Sequence, residues 1–84
     1  MLSNQRVNEA KMYNIYLIKD LARSTGYSIY TIKFYLKIGL IKEVQRSPET
    51  RYRYFDDSTV AALKQIRTLR KEGKSIREIQ HELL

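Results

Sequence analysis

Three glycines divide the chain into short runs of helical period, and that punctuation leaves room for little except a small domain of short helices. Gly26, Gly39 and Gly73 each stand where such a run would end. Ile18, Leu21 and Ala22 fall at i, i+3 and i+4, so they face one way on a short helix that Thr25-Gly26 breaks. No Ser, Thr, Asp or Asn directly precedes Ile18, so the start of this helix carries no cap signal. Ser28 is the next N-cap candidate, its hydroxyl placed to accept an exposed N–H of the following turn. Ile29, Ile32 and Leu36 then recur at i, i+3 and i+7, with Ile38 near the end and Gly39 closing the run. Only Gly26-Tyr27 separates the two helices, and so tight a corner is a helix-turn-helix unit. Opposite the apolar line stand Tyr30, Thr31, Lys33, Phe34 and Lys37. A helix buried on one side would therefore show hydroxyls, amines and aromatic rings on the other.

From Leu40 to Phe55 the period changes. Leu40-Ile41 and Tyr52–Phe55 are β-prone and flank Arg46-Ser47-Pro48-Glu49-Thr50, which predicts a hairpin with a loop longer than two residues. Alternation places Arg51, Arg53 and Phe55 on one face and Tyr52 and Tyr54 on the other. A hairpin after a helix-turn-helix is a wing. Asp56 and Asp57 offer a cap and a favourable charge to a third helix with the apolar stripe Val60, Leu63, Ile66 and Leu69, widened by Ala62. Arg70 and Lys71 suit its last turn, and Gly73 closes it. Ser75-Ile76-Arg77-Glu78 fits the capping box of a last helix, whose buried line is Ile76, Ile79 and Leu83. Residues 1–14 are polar without a sustained period and read as a flexible N-terminal tail, which leaves 15–84 as the domain. The expected fold class is mostly α with a small β-hairpin.

Composition narrows the function classes. A chain of 84 residues makes one small domain, and without cysteine neither a disulfide nor a thiolate zinc site can reinforce its core. His81 is the only histidine, and no neighbouring residues have the spacing to join it as metal ligands. Asp56-Asp57 suit a helix start rather than a pair of catalytic carboxylates, and the glycines mark helix ends rather than a phosphate loop. The reading is no enzyme, no cofactor and no metal. No apolar run reaches the roughly 18 residues of a membrane span, and no signal-peptide stretch opens the chain, so the expected location is cytoplasmic, associated with the nucleoid. The net charge of +7 favours a polyanionic partner. Most of it lies in residues 28–55, where Lys33, Lys37, Lys42, Arg46, Arg51 and Arg53 oppose only Glu43 and Glu49. Aromatic residues share that stretch, a combination that suits a nucleic-acid surface better than a solvated basic face.

Several stretches form a familiar order. Leu17-Ile18-Lys19-Asp20-Leu21-Ala22 is followed by Thr25-Gly26-Tyr27-Ser28, then by Thr31-Ile32-Lys33-Phe34-Tyr35 and Gly39-Leu40-Ile41. Tyr52-Arg53-Tyr54-Phe55, Ile66-Arg67-Thr68-Leu69-Arg70 and Gly73-Lys74-Ser75-Ile76-Arg77-Glu78-Ile79 complete it. In this order and spacing, residues 16–84 closely resemble the N-terminal DNA-binding domain of the MerR family of bacterial transcription regulators. The resemblance implies a winged helix-turn-helix whose second helix enters the major groove while the wing lies along the adjacent backbone or minor groove. Tyr30, Thr31 and Lys33 would face bases and nearby phosphates. Phe34 and Tyr35 would be the family's aromatic pair, one touching DNA and the other packing. Arg53 would meet phosphate with Tyr52 in support. With Ser28, Lys37, Arg46 and Arg51 from the same helix and wing, these residues form the expected DNA-binding set. Leu36 stands where the family has Glu or Asp, Glu43 where it commonly has proline, and Arg51 where glycine often precedes the wing tyrosine. Phe34 lacks the hydroxyl of the family's usual tyrosine.

The expected function is therefore a sequence-specific, double-stranded DNA-binding transcription regulator. The resemblance implies a homodimer on an inverted-repeat operator. Family members continue into a long dimerisation helix and an effector domain, neither of which is in this sequence, so weak binding is expected of the chain alone. Two alternatives stay open. One is a DNA-architectural factor, excisionase-like or chromosome-anchoring, built on the same winged helix. The other is a basic protein-interaction module meeting an acidic partner.

Overall fold

A computed structural model describes residues 14–84, and the predicted tail falls almost wholly outside the described residues. Among these residues, four helices and one hairpin follow in order: α1 (Ile18–Thr25), α2 (Ile29–Lys37), β1 (Gln45–Arg46), β2 (Arg53–Tyr54), α3 (Asp57–Lys71) and α4 (Ile76–Leu83). The antiparallel strands pair Gln45 with Tyr54 and Arg46 with Arg53. A third strand position, which the sequence did not signal, is supplied by Tyr16, whose N–H and C=O exchange 2.8 Å hydrogen bonds with Phe55. The hairpin is thereby joined to the start of the domain.

Each helix start has a local cause. The Leu17 side chain has no oxygen to cap α1, but Asp20 Oδ2 accepts the Leu17 N–H at 2.9 Å. Ser28 Oγ accepts the Thr31 N–H at 3.1 Å and opens α2. Asp56 Oδ1 accepts the Ser58 N–H at 2.9 Å and opens α3. At α4 both halves of the capping box form, Glu78 N–H to Ser75 Oγ at 3.1 Å and Ser75 N–H to Glu78 Oε1 at 2.7 Å. Asp57 has a different task from its neighbour: its carboxylate accepts the Tyr16 hydroxyl at 2.7 Å and the Asn14 amide at 2.9 Å. This bond is the main reason the Tyr16 phenol is held above its ordinary pKa.

The core gathers Leu21, Ile32, Tyr35, Leu40, Ile41, Phe55, Leu63, Ile66, Leu69 and Ile79 from every helix and from the hairpin's end. Two expectations are corrected. Ile29 is 41% exposed; the buried residues of α2 are Ile32 and Tyr35, while Leu36 packs against the core partly buried, as the spacing predicts. Leu40-Ile41 form no strand. Gly39, at φ 79°, ends α2 in a left-handed turn, and the N–H groups of Gly39 and Leu40 bond the carbonyls of Leu36 and Tyr35. The wrapped chain then buries Leu40 against the end of the helix. The first strand starts only at Gln45.

Candidate nucleic-acid interface

The face that carries the predicted residues is built by three elements. The N-terminal turn of α1 presents Leu17, Ile18 and Lys19, α2 presents Lys33, and the hairpin presents Arg46, Arg51, Tyr52 and Arg53; together these line one hollow of about 360 Å³. A second hollow of about 820 Å³ shares Lys33, Arg46 and Arg53 and extends to Lys37, Lys42 and Glu43. Thus seven cations from α1, α2, the hairpin and the segment between α2 and the hairpin surround two adjoining hollows, whose only acidic lining residue among the described residues is Glu43. Cations of one sign around a concave surface raise the local concentration of an anionic partner.

The predicted set divides on this face. Lys33, Lys37, Arg46, Arg51, Tyr52 and Arg53 come together around the hollows, with Tyr52 57% exposed. Tyr30, 82% exposed, and Phe34, 43% exposed, stand on the outer face of α2 and line neither hollow. Ser28 and Thr31 are tied to each other, since the Ser28 hydroxyl donates to Thr31 Oγ1 at 3.0 Å while accepting the Thr31 N–H. Tyr35 is corrected: it is 5% exposed and meets Tyr27 edge-on at a centroid distance of 5.6 Å. Of the aromatic pair, Phe34 is therefore the surface member and Tyr35 the core member. Lys19 and Lys42 join the face without having been in the predicted set. Their signal was available, for Lys19 lies off the Ile18–Leu21–Ala22 line.

The corner between α1 and α2 is braced from behind. Thr25 donates its hydroxyl to the Leu21 carbonyl at 2.7 Å, and Gly26 turns the chain at φ 81°. Arg67 of α3 donates to the Thr25 carbonyl at 2.6 Å and lies 4.4 Å over the Tyr27 ring. Burial, rather than any charge, is the chief reason that the Tyr27 phenol is pushed up from its ordinary pKa. On the wing, Arg51 adopts a left-handed φ of 66°, the conformation that glycine takes without strain. The glycine common at this position in the family that the sequence resembles thus has a backbone reason.

Among the described residues, no group of three or more His, Cys, Asp or Glu is placed to hold a metal ion. No helix among them is long and apolar enough to cross a membrane.

Comparison with known proteins bears on this face. A family model described as MerR HTH family regulatory protein matches residues 16–84. The multidrug-efflux transporter 1 regulator of Bacillus subtilis (strain 168) is 32% identical over 65 residues, covering 77% of this chain and 23% of that protein. A MerR family transcriptional regulator from Bacillus cereus superposes with a TM-score of 0.75 at 25% identity, over 81% of this chain and 50% of that one. The structure of HiNmlR, a MerR family regulator lacking the sensor domain and bound to promoter DNA, gives a TM-score of 0.74 at 30% identity, over 83% of this chain and 52% of that one. The chain spans about a quarter of the curated relative's length and about half the length of the structural ones.

Proposed function

The chain belongs to the MerR HTH family of regulatory proteins, and we propose that it binds double-stranded DNA sequence-specifically and so regulates transcription. The observation that carries this reading is the cationic face on which Lys33 of α2 meets Arg46, Arg51 and Arg53 of the wing. A helix with polar and aromatic side chains outward, beside an arginine-edged hairpin, matches a duplex element by element. In this reading α2 enters the major groove, where Tyr30, Thr31 and Lys33 reach base edges and Phe34 offers an apolar contact. Lys37, Arg46, Arg51 and Arg53 neutralise phosphates along the adjoining backbone and release counterions. Tyr52 packs beside them. HiNmlR, a similar MerR family regulator that lacks the sensor domain, is bound to promoter DNA, which supports promoter DNA as the target here.

Two copies on an inverted repeat, one per half-site, is the assembly that this docking favours. The site of action is the cytoplasm, on the nucleoid. The reading requires no chemical step and no cofactor.

Selection of duplexes from a randomised pool, followed by titration of the winners and of random duplex over a salt series, tests it. The selected sequence should bind more tightly, with log affinity falling linearly with log salt concentration. Equal affinity for both would leave a non-specific binder, and no duplex affinity would sink the reading.

A further inference from the structure

Arg46 and Arg53 are cross-strand partners in the hairpin, which sets two cations directly opposite each other where like charges repel. Glu43 resolves the conflict. Arg46 donates through Nε to Glu43 Oε2 at 3.0 Å and through Nη2 to Oε1 at 3.1 Å, and Arg53 Nε lies 3.2 Å from the same Oε1. Arg46 thus holds the carboxylate through two N–H groups, and the Arg53 guanidinium lies beside it as an ion-pair partner. The fork that holds it would hold two oxygens of a phosphate equally well. All three side chains are partly exposed, on the wall of the hollow that also carries Lys33, Lys37 and Lys42. Among the described residues, no other acidic side chain lines either hollow.

Building on the DNA-binding reading, we propose that Glu43 is an internal stand-in for a DNA phosphate, holding the wing arginines in the free protein and, when a duplex docks, releasing one of them while keeping the other. In the free state the three side chains carry a net +1 instead of +2, so one fewer phosphate is neutralised without a rearrangement. Exposed ion pairs are weak, so the exchange is readily reversible. The carboxylate also keeps the short hairpin from being pushed apart before DNA arrives. It touches no base and weakens binding to all sequences alike, so Glu43 sets affinity and salt dependence while α2 sets sequence preference.

The test is titration of a labelled random-sequence duplex with the wild-type chain, Glu43→Gln, Glu43→Ala and Glu72→Gln over a salt series, each variant checked for folding by its melting curve. Glu72 lies at the end of α3 and lines neither hollow, so its substitution matches the charge change of Glu43→Gln away from the wing. Both Glu43 variants should bind several-fold more tightly at low salt. Their log–log salt slope should be steeper by about 0.9, the signature of one further phosphate neutralised. Glu72→Gln should move both readouts less. Unchanged or weaker binding by the Glu43 variants, or equal effects from Glu72→Gln, would overturn the role of Glu43 and leave the DNA-binding reading standing. Absence of duplex affinity in all four proteins would overturn both.

Discussion

Lys33 is the one residue of α2 that lines both hollows, so under the proposed function it would join helix and wing on the same stretch of duplex. If it reads a base edge, Lys33→Ala should weaken binding to a selected sequence by about 1–3 kcal/mol and to random duplex by much less. Equal losses on the two duplexes would make Lys33 a phosphate contact. Arg51 presents a different balance, because its left-handed backbone costs about 1–2 kcal/mol in a residue with a side chain. Glycine removes that strain but returns about 0.5–1 kcal/mol as unfolded-chain freedom. Arg51→Gly should therefore stabilise the domain by roughly 0.5–1 kcal/mol while weakening DNA binding, since a cation leaves the cleft. A melting temperature that falls would refute the strain argument. At this scale the exposed face of α2 was legible in the sequence, because Tyr30, Lys33, Phe34 and Lys37 avoid the core at helical spacing. Within the aromatic pair, the helical phase set by Ile32 turns Phe34 outward and leaves Tyr35 as the packed member.

Among the elements, α3 makes the capping chemistry measurable. The Asp56 carboxyl is held below the usual carboxylate range, first by the Ser58 hydroxyl and then by the backbone N–H groups of Ser58 and Thr59. A depressed folded pKa means that the stabilisation is complete above the unfolded value of about 4 and is lost as the pH falls through the lower folded value. Asp56→Ala should cost about 1 kcal/mol at neutral pH. The gap between the two melting temperatures should then close as the solution is taken below about pH 4. A gap that stays constant into acid would show that the carboxylate charge contributes nothing to the cap. The four helices and the wing were readable because caps and glycines are local signals, fixed by hydrogen bonds within a turn. The strand bounds were not local. Leu40-Ile41 have β-branched or apolar side chains that suit a strand, yet the left-handed turn at Gly39 commits them to the core. Tyr16 pairs with Phe55 across 39 positions of chain, and a single paired residue has no period to betray it.

At the scale of the whole molecule, α2 is flanked by two long-range hydrogen bonds to carbonyls, one at the end of α1 before the corner and one at its own C-cap. Arg67 of α3 reaches the Thr25 carbonyl before the corner at 2.6 Å, and Gln80 of α4 reaches the Ile38 carbonyl after the helix at 3.2 Å. Each bond spans 42 positions of sequence. The helix that presents Lys33 is thus oriented by the half of the chain that carries little of the net charge, a division of labour that no local pattern reveals. Arg67 is the stronger of the two supports, because the same guanidinium stacks on the Tyr27 ring beside the corner. Losing a stacked cation costs about 0.5–2 kcal/mol, and leaving a partly buried carbonyl unpaired costs about 1–3 kcal/mol. Arg67→Ala should therefore destabilise the domain by roughly 2 kcal/mol. In a domain of this size that lowers the melting temperature by about 8–16 °C. Arg67→Lys should recover only part of the loss, since an ammonium cannot lie flat on the ring while donating to the carbonyl in the same geometry. Thermal melts of the two variants, followed by circular dichroism, separate these contributions. Because Arg67 lines neither hollow, the surviving folded fraction of Arg67→Ala should lose preference for a selected sequence more than affinity for random duplex, the result expected when a reading helix is freed to tilt while the phosphate-facing cations remain. A variant that melts lower but discriminates between sequences as the wild type does would show that α3 stabilises the corner without aiming α2.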